Sequence, residues 1–189
     1  MSDMIEQKLI NGDEPATEED VLAFLAKLNI EQRTVHHEAV FTVAEAKATR
    51  GEVPGAHIKN LFLRNKKGRM WLVTCHEDRQ IDLKALGVLI GAGRMSFASH
   101  ERLMNYLGVI PGAVTPLAAL NDSTHAVEVV LDTAILQDEL VNVHPLHNAA
   151  TTTLSPQGLI QFLEAVEHPP KVIDLDPLSQ AGLDVSADS

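Results

Sequence analysis

The strongest constraint on the fold is a pair of strand-like runs joined by a short polar turn. Residues 57–64 have a strand-like pattern, residues 70–75 are apolar and branched, and the polar segment from Asn65 to Gly68 lies between them. Such runs flanking a turn that contains asparagine and glycine predict a β-hairpin. The chain must therefore build a sheet, and the remaining pattern decides what covers it.

Helical and strand patterns occur on both sides of this hairpin. Helices are predicted after the capping residues Thr17, Thr42 and Ser99, over residues 82–86 closed by Gly87, and after Ser155 and Pro156. Further strands are predicted over residues 34–37, 126–131, 140–143 and 151–154. Because the strands do not alternate regularly with the helices, the predicted fold class is α/β mixed. We expect a curved, mostly antiparallel or mixed central sheet flanked by helices.

The size and composition are those of one globular domain with tails. The chain has 189 residues, of which 45% are hydrophobic and 22% charged. The breaks in the pattern predict a lead-in over residues 1–16, a folded domain over residues 17–170, and a loosely held acidic tail over residues 171–189. No apolar run reaches about 18 residues and the N-terminus lacks a signal pattern, so we expect no membrane span and a cytoplasmic location.

The net charge of −11 is unevenly distributed. Residues 1–22 carry seven acids and one base, and residues 172–189 carry four acids and no base. Residues 47–102 carry eleven bases and five acids. A local positive region can bind phosphates even in an acidic protein, although on charge alone a merely solvated surface is the favoured interpretation.

Three segments could carry chemistry. Lys59 lies inside a predicted strand, where it is either an outward-facing lysine or one that holds a phosphate or carbonyl oxygen. The loop Gly112–Pro116 could aim backbone N–H groups at an oxyanion, or be a plain connector. His144 could be a base, a donor or a core residue, and Asn148 could orient a ligand.

Other chemistries are disfavoured. The chain has no glycine-rich nucleotide-binding motif. Cys75 is the only cysteine, which excludes an internal disulfide, and its apolar strand predicts a buried, inert thiol. The spacing of His144 and His147 could suit a metal, but Pro145 between them argues against the regular helix that would align them.

Taken together, these segments resemble the YbaK/prolyl-tRNA synthetase-associated domain family of aminoacyl-tRNA deacylases. The motifs that carry the resemblance are Lys59–Leu63, Gly112–Pro116 and His144–Asn148, preceded by the helix start Phe41–Ala46. The similarity covers about residues 17–170, and within the family the chain resembles the free-standing type that clears alanyl-tRNA(Pro). No single motif is specific, but their order and spacing are.

The resemblance implies a site and a set of partners. It implies a catalytic role for Lys59, Gly112 and His144, and substrate binding by Thr42, Asn60, Ala113, Pro116 and Asn148. It implies no metal and no organic cofactor. The partners would be the aminoacylated 3′ end of tRNA and, as a second candidate, prolyl-tRNA synthetase, with no membrane and no DNA. With this resemblance, phosphate binding becomes the favoured interpretation of the basic middle.

Two alternatives stay open at this point. One is a deacylase for another small mischarged amino acid, such as cysteinyl-tRNA(Pro). The other is a non-catalytic module of the same fold that binds tRNA or a synthetase. Loss of the lysine or of the Gly-x-x-x-Pro loop would favour the second alternative, and both features are present.

Overall fold

The computed structural model describes residues 7–49 and 53–180. The helices are α1 (Glu18–Lys27), α2 (Val43–Thr49), α3 (Leu83–Leu89), α4 (His100–Arg102), α5 (Pro156–Ala165) and α6 (Asp176–Gln180). The strands are β1 (Gln32–His36), β2 (Ala56–Asn65), β3 (Met70–His76), β4 (Met95–Phe97), β5 (Val127–Asp132), β6 (Val141–Val143), β7 (Ala150–Leu154) and β8 (Lys171–Ile173). Leu103–Leu107 continues α4 as a π-helical turn, and 3₁₀ helices span Pro116–Asn121 and Thr133–Gln137.

The sheet is mixed, as predicted. Its order is β1-β7-β6-β2-β3-β5-β8, with β4 added on β2. The pairs β1–β7, β2–β3, β2–β4 and β6–β7 are antiparallel. The pairs β2–β6, β3–β5 and β5–β8 are parallel. The predicted α/β mixed class and the predicted hairpin β2–β3 are therefore confirmed.

Strand β2 has a gap along one edge. Strand β3 occupies one edge of β2 from Ile58 to Arg64, so β4 and β6 must share the other edge. Strand β6 is in register only with Ala56 and His57, and β4 only with residues 63–65. Within the part of the chain that the structure describes, residues 58–62 have no strand partner on this second edge. This gap positions the site described below.

The polar turn of the hairpin is organised by one side chain. The Asn65 Oδ1 atom accepts hydrogen bonds from the backbone N–H groups of Lys67 and Arg69, at 3.0 and 3.1 Å. Its Nδ2 group donates to the carbonyl oxygen of Ala92 at 3.0 Å. An asparagine side chain that bonds to backbone two residues on is a common way to close a turn. Here it also ties the turn to the segment that precedes β4.

Alternate residues of the hairpin bury opposite faces of the sheet. Phe62 and Leu72 pack into the larger core cluster with α1, α5 and residues 103–120. Leu63 and Trp71 pack into a second cluster with α3 and Met95. Because both faces are covered, β3 is buried at every position from Met70 to Cys75, which explains its continuous apolar run.

The predicted N-caps are confirmed, but the predicted end of α3 is wrong. Thr17 forms a capping box with Asp20 at the start of α1. Helix α3 begins after the cap Asp82 and continues past Gly87 to Leu89. A Cβ atom at Gly87 would lie 2.0 Å from the carbonyl oxygen of Gly93, so close packing requires this glycine within the helix.

The two predicted tails pack on the body where the structure describes them. Residues 171–173 form β8 beside β5, and the side chains of Leu175 and Leu178 are buried, so the predicted loose tail is wrong for residues 171–178. In the lead-in, Leu9 is also buried. Isolated apolar residues in polar segments give no periodic signal, which is why the pattern missed them. Residues 1–6 and 181–189 lie outside the described part.

Helix length also bears on the membrane prediction. Among the described residues, every helix is too short or too polar to cross a lipid bilayer.

Candidate active site

A cavity of about 370 Å³ lies beside the gap on β2. Its wall combines side chains from β1, α2, β2, β6 and β7 with the loop that precedes Pro116. Five of the residues predicted from the resemblance contribute to this wall: Thr42, Lys59, Asn60, Gly112 and His144. Segments more than 100 residues apart in the chain thus meet around one hollow.

Lys59 provides the positive charge of the cavity wall. Its ammonium group donates a hydrogen bond to the backbone carbonyl oxygen of Arg79. This bond uses one of its three N–H donors and holds the side chain in place, so the other two can bind an anionic or carbonyl oxygen. Lys59 is therefore oriented by the protein and still able to act on a ligand.

Cys75 lies directly opposite Lys59 on β3. It is fully buried, and burial raises the pKa of its thiol to about 11, although the nearby Lys59 ammonium acts in the opposite direction. A thiol with so high a pKa remains protonated near neutral pH and is a poor nucleophile. The prediction that Cys75 is buried is confirmed.

Asn60 fastens the Gly-x-x-x-Pro loop to the sheet. Its Nδ2 group donates to the carbonyl oxygen of Val114 at 3.0 Å, and its Oδ1 atom accepts from the hydroxyl of Thr74 at 2.7 Å. The Val114 carbonyl oxygen fixes which way the amide points, because it can only accept and must therefore face Nδ2. The loop is thereby held beside the gap in β2.

His144 is held in its neutral form. Burial lowers the pKa of this imidazole, and the neighbouring His37 and His147 act in the same direction, against a hydrogen bond that raises it. That bond joins Nδ1 to the carbonyl oxygen of Ala150 at 3.2 Å. A carbonyl can only accept, so the proton sits on Nδ1 and Nε2 carries a lone pair. His144 is therefore a hydrogen-bond acceptor or base near neutral pH.

Three predicted site residues lie behind the wall rather than on it. Ala113 is fully buried, and Pro116 is buried at the start of the 3₁₀ helix, where its fixed φ suits the first helical position. The Nδ2 group of Asn148 donates to the carbonyl oxygen of Val40 at 2.9 Å. These residues shape the loops that surround the cavity, and the structure does not bring them to its surface.

The sequence patterns missed several residues of the wall, among them Phe41, His57 and Glu77. His37 is the most notable, because its Nδ1 atom lies 2.7 Å from the carbonyl oxygen of Glu38 and its Nε2 atom 2.8 Å from the hydroxyl of Thr151. The carbonyl oxygen can only accept, so Nδ1 donates to it, and Nε2 is left to bond with the Thr151 hydroxyl. The alternation of Val35 and His37 on one strand face was the signal available for it.

The spacing of His144 and His147 does not form a metal site. The Nε2 atom of His147 contacts the carboxylate of Glu18, which also binds Nε2 of His36 at 2.7 Å. The two imidazoles of the motif therefore bond to different groups, with Glu18 linking the start of α1 to β1 and the loop before β7. Across residues 7–49 and 53–180, no group of three or more histidine, cysteine or acidic side chains could hold a metal ion.

The sequence profile of the aminoacyl-tRNA editing domain matches residues 37–162, which contain Lys59, Gly112 and His144 of the cavity wall. The chain belongs to this family, and the predicted deacylase class of enzyme is confirmed.

Named relatives support the same assignment. Prolyl-tRNA editing protein ProX of Acetoanaerobium sticklandii is 41% identical over 82% of this chain and 95% of its own length. Prolyl-tRNA synthetase associated domain-containing protein 1 of Bos taurus is 42% identical over 80% of this chain and 91% of its own. Among solved structures, a candidate trans-editing enzyme for prolyl-tRNA synthetase aligns with a TM-score of 0.65 and 22% identity, covering 83% of this chain and 94% of that one. That likeness supports the fold alone.

Proposed function

We propose that this protein hydrolyses mischarged aminoacyl-tRNA(Pro) in trans, and that its substrate is the alanyl ester at the 3′ end of the tRNA. The observation that carries the proposal is the convergence of Lys59, Gly112 and His144 on one cavity. The names of the relatives, which edit prolyl-tRNA or are associated with its synthetase, support tRNA(Pro) as the carrier.

The need for a second, smaller pocket follows from the energetics of selection. A synthetase site that accepts proline cannot strongly reject alanine, because the missing methylene groups are worth only about 1–3 kcal/mol each. A separate site that admits alanine and excludes the proline ring removes the error by size. The aliphatic side chains of Val40, Val43 and Val143 in the cavity wall suit a small apolar side chain.

The wall supplies what ester hydrolysis needs. The Lys59 ammonium stabilises the negative charge that develops on the carbonyl oxygen, and the neutral His144 accepts a hydrogen bond from the amino acid or from the attacking oxygen. The buried thiol of Cys75 is not available as a nucleophile. The attacking oxygen therefore comes from solvent or from the substrate, and the protein contributes by positioning and electrostatics.

Competing substrates provide the test. The protein is incubated separately with alanyl-, cysteinyl- and prolyl-tRNA(Pro), and the remaining ester is followed over time. We expect loss of the alanyl ester while the prolyl ester survives. Faster loss of the cysteinyl ester would assign the site to cysteine, and binding of all three without turnover would support the non-catalytic module.

Prolyl-tRNA synthetase is proposed as a second partner, and co-sedimentation of the two proteins tests that association.

A further inference from the structure

The basic middle of the chain divides into paired and unpaired cations. Three of them are held by acids: Lys47 by Asp78, Arg69 by Glu128 and Arg79 by Asp132. Lys59 belongs to the cavity. The others that the structure describes have no acidic partner among residues 7–49 and 53–180: Arg64, Lys66, Lys67, Lys84, Arg94 and Arg102. Ion pairing within the described part of the chain does not account for these six.

Five of the six unpaired cations converge on the tip of the β2–β3 hairpin. They form the hairpin-tip patch: Arg64, Lys66, Lys67, Arg94 and Arg102. Arg64 is in register with Ser96 of β4, and Arg94 directly precedes that strand. The guanidinium of Arg102 lies 3.9 Å from the sulfur of Met70 at the start of β3. One acid, Glu101, lies next to the patch in sequence, so the patch is strongly positive in a protein of net charge −11.

An exposed aromatic residue stands between this patch and the cavity. Phe97 is 63% exposed and lies directly opposite Leu63 on β2. Leu63 and Lys59 are four residues apart on one strand, so Phe97 and Lys59 lie on the same face of the sheet. Arg64 and its partner Ser96 lie on the opposite face, whereas Lys66 and Lys67 lie in the turn at the end of the strand. At a rise of about 3.3 Å per residue, Phe97 is about 13 Å along β2 from Lys59, and the end of β2 at Asn65, where the turn with Lys66 begins, is about 20 Å from Lys59.

We propose that the hairpin-tip patch and Phe97 form the docking surface for the acceptor end of the tRNA. The patch contacts phosphates of the double-stranded stem, and Phe97 stacks on an unpaired base of the strand that runs on to the cavity. Spaced cations bind phosphates without reading sequence, and an aromatic face stacks on any unpaired base. The order of cavity, aromatic residue and cations along β2 matches the order of ester, single strand and stem in the RNA. This proposal rests on the proposed function, since it takes the cavity as the ester site.

Charge complementarity favours RNA over a protein partner. The protein as a whole carries a net charge of −11, so a polyanion is attracted only where the local potential is positive. A folded acidic protein could meet the cations, but it would not need an exposed phenylalanine in line with an ester-binding cavity. If the partner were an acidic protein, tRNA affinity would not depend on the patch.

Matched charge removals test the surface. Lys66→Gln and Arg94→Gln each remove one positive charge from the patch, and Lys27→Gln removes one from the exposed last turn of α1. Affinity for non-acylated tRNA(Pro) is measured across salt concentrations, and deacylation of alanyl-tRNA(Pro) is measured at saturating protein. We expect each patch variant to weaken tRNA binding by roughly three- to tenfold and to reduce the slope of log affinity against log salt by about one. The saturating deacylation rate should be unchanged, and Lys27→Gln should match the unchanged protein.

Replacement of Phe97 separates stacking from charge. Phe97→Ala should weaken tRNA binding with an unchanged salt slope, and Phe97→Trp should retain the affinity.

Patch variants that bind tRNA as tightly as Lys27→Gln would overturn the proposal. It would also be overturned if the patch variants lost as much of the saturating deacylation rate as of the tRNA affinity. If the unchanged protein deacylates none of the esters but its tRNA affinity still depends on the patch, the proposed function fails and the docking surface stands.

Discussion

Gly112 lies against the backbone of Phe41. A Cβ atom at Gly112 would be 3.2 Å from the Cα atom and 3.4 Å from the carbonyl oxygen of Phe41. The φ angle of Gly112 is +85°, in the region that side chains rarely adopt. Two independent constraints therefore select glycine at this position, and both act where the Gly-x-x-x-Pro loop meets the segment that leads into α2.

Gly112→Ala should lower both stability and deacylation. The left-handed φ alone costs an alanine about 1–2 kcal/mol, and the close approach of Phe41 adds to it because backbone atoms cannot easily move away. Gly68→Ala is the matched control, because Gly68 has a φ of +83° with nothing within 4 Å of its added Cβ. Urea unfolding should show the larger loss at position 112, and only that variant should lose activity. Equal losses at both sites would mean that the contact with Phe41 is unimportant.

Lys59→Ala should lower deacylation strongly while the fold remains intact. The variant removes the ammonium from the cavity wall and leaves the carbonyl oxygen of Arg79 without this donor. Loss of one group that stabilises a developing oxyanion typically lowers kcat by about 10²–10³-fold. Lys84→Ala, at an exposed position of α3, serves as control. Single-turnover deacylation and circular dichroism together provide the measurement, and undiminished turnover by Lys59→Ala would remove this lysine from the site.

Protonation of His144 should lower the deacylation rate at acidic pH, which gives the pH–rate profile an acid limb. Because the pKa of His144 is lowered from 6.5 by burial, the imidazole is neutral near pH 7 and protonates only at lower pH. If the neutral form accepts a hydrogen bond in the reaction, kcat/KM should fall as the pH drops through a midpoint below 6.5. His144→Gln should lower the rate and remove this limb, whereas His147→Gln should keep it. A limb that persists in His144→Gln belongs to another group.

A buried ion pair between His168 and Asp122 should make stability depend on pH. The two side chains are 5% and 2% exposed, and Nε2 lies 2.9 Å from Oδ2. Burial opposes the charge on each, but their mutual hydrogen bond, together with the other hydrogen bonds and charge interactions of each group, outweighs it. The pKa of His168 is therefore raised and that of Asp122 is lowered. The second imidazole nitrogen faces the carbonyl oxygen of Val166 at 2.8 Å, so both ring nitrogens donate and the ring is charged.

The sign of the pH effect follows from these two shifts. The raised pKa of His168 contributes stability that is fully present below its unfolded pKa and is lost as pH rises through the folded pKa. The lowered pKa of Asp122 contributes stability present above its unfolded pKa and lost as pH falls through the folded pKa. His168→Gln should therefore cost about 3–5 kcal/mol near pH 5.5, where both groups are charged, and less at pH 9.

Urea unfolding at several pH values measures this cost. His125→Gln is the control, because His125 packs beside His168 with ring centroids 5.2 Å apart but pairs with Glu167 at the surface. It should cost less than about 1 kcal/mol, because an exposed ion pair contributes little. A cost of His168→Gln that is the same at pH 5.5 and pH 9 would show that the imidazole is neutral in the folded protein.

Local sequence patterns predicted most helices and strands, and the resemblance to the deacylase family predicted which segments meet at the site. Capping side chains such as Thr17 and Ser155, and the uninterrupted apolar run of β3, act over a few residues and can be read from the sequence. The placement of β8 beside β5 depends on Leu175, whose burial comes from a distant cluster and leaves no periodic signal. The local pattern therefore missed the end of the fold.

The candidate site shows the same division. Lys59, Gly112 and His144 could be expected to share a site only because their order matched a family, since nothing in their own spacing brings them together. His37 went unrecognised because its role depends on Thr151, which is 114 positions away in the chain and lies opposite Val35 in the sheet. Contacts between residues so far apart in the chain are set by the order of the strands in the sheet, and no local motif predicts them.

The gap along the second edge of β2 determines which parts of the cavity wall depend on side chains and which on the main chain. The carbonyl oxygen of His57 accepts a hydrogen bond from the N–H of Glu77, the residue that follows β3. Because main-chain groups alternate between the two edges of a strand, those of Ile58 and Asn60 point away from β3 and toward the cavity. Such a wall of peptide groups is retained on replacement of a side chain by any residue except proline, which lacks the backbone N–H. Substitutions at the surrounding valines can therefore change the size of the cavity, while the peptide groups of Ile58 and Asn60 stay in place.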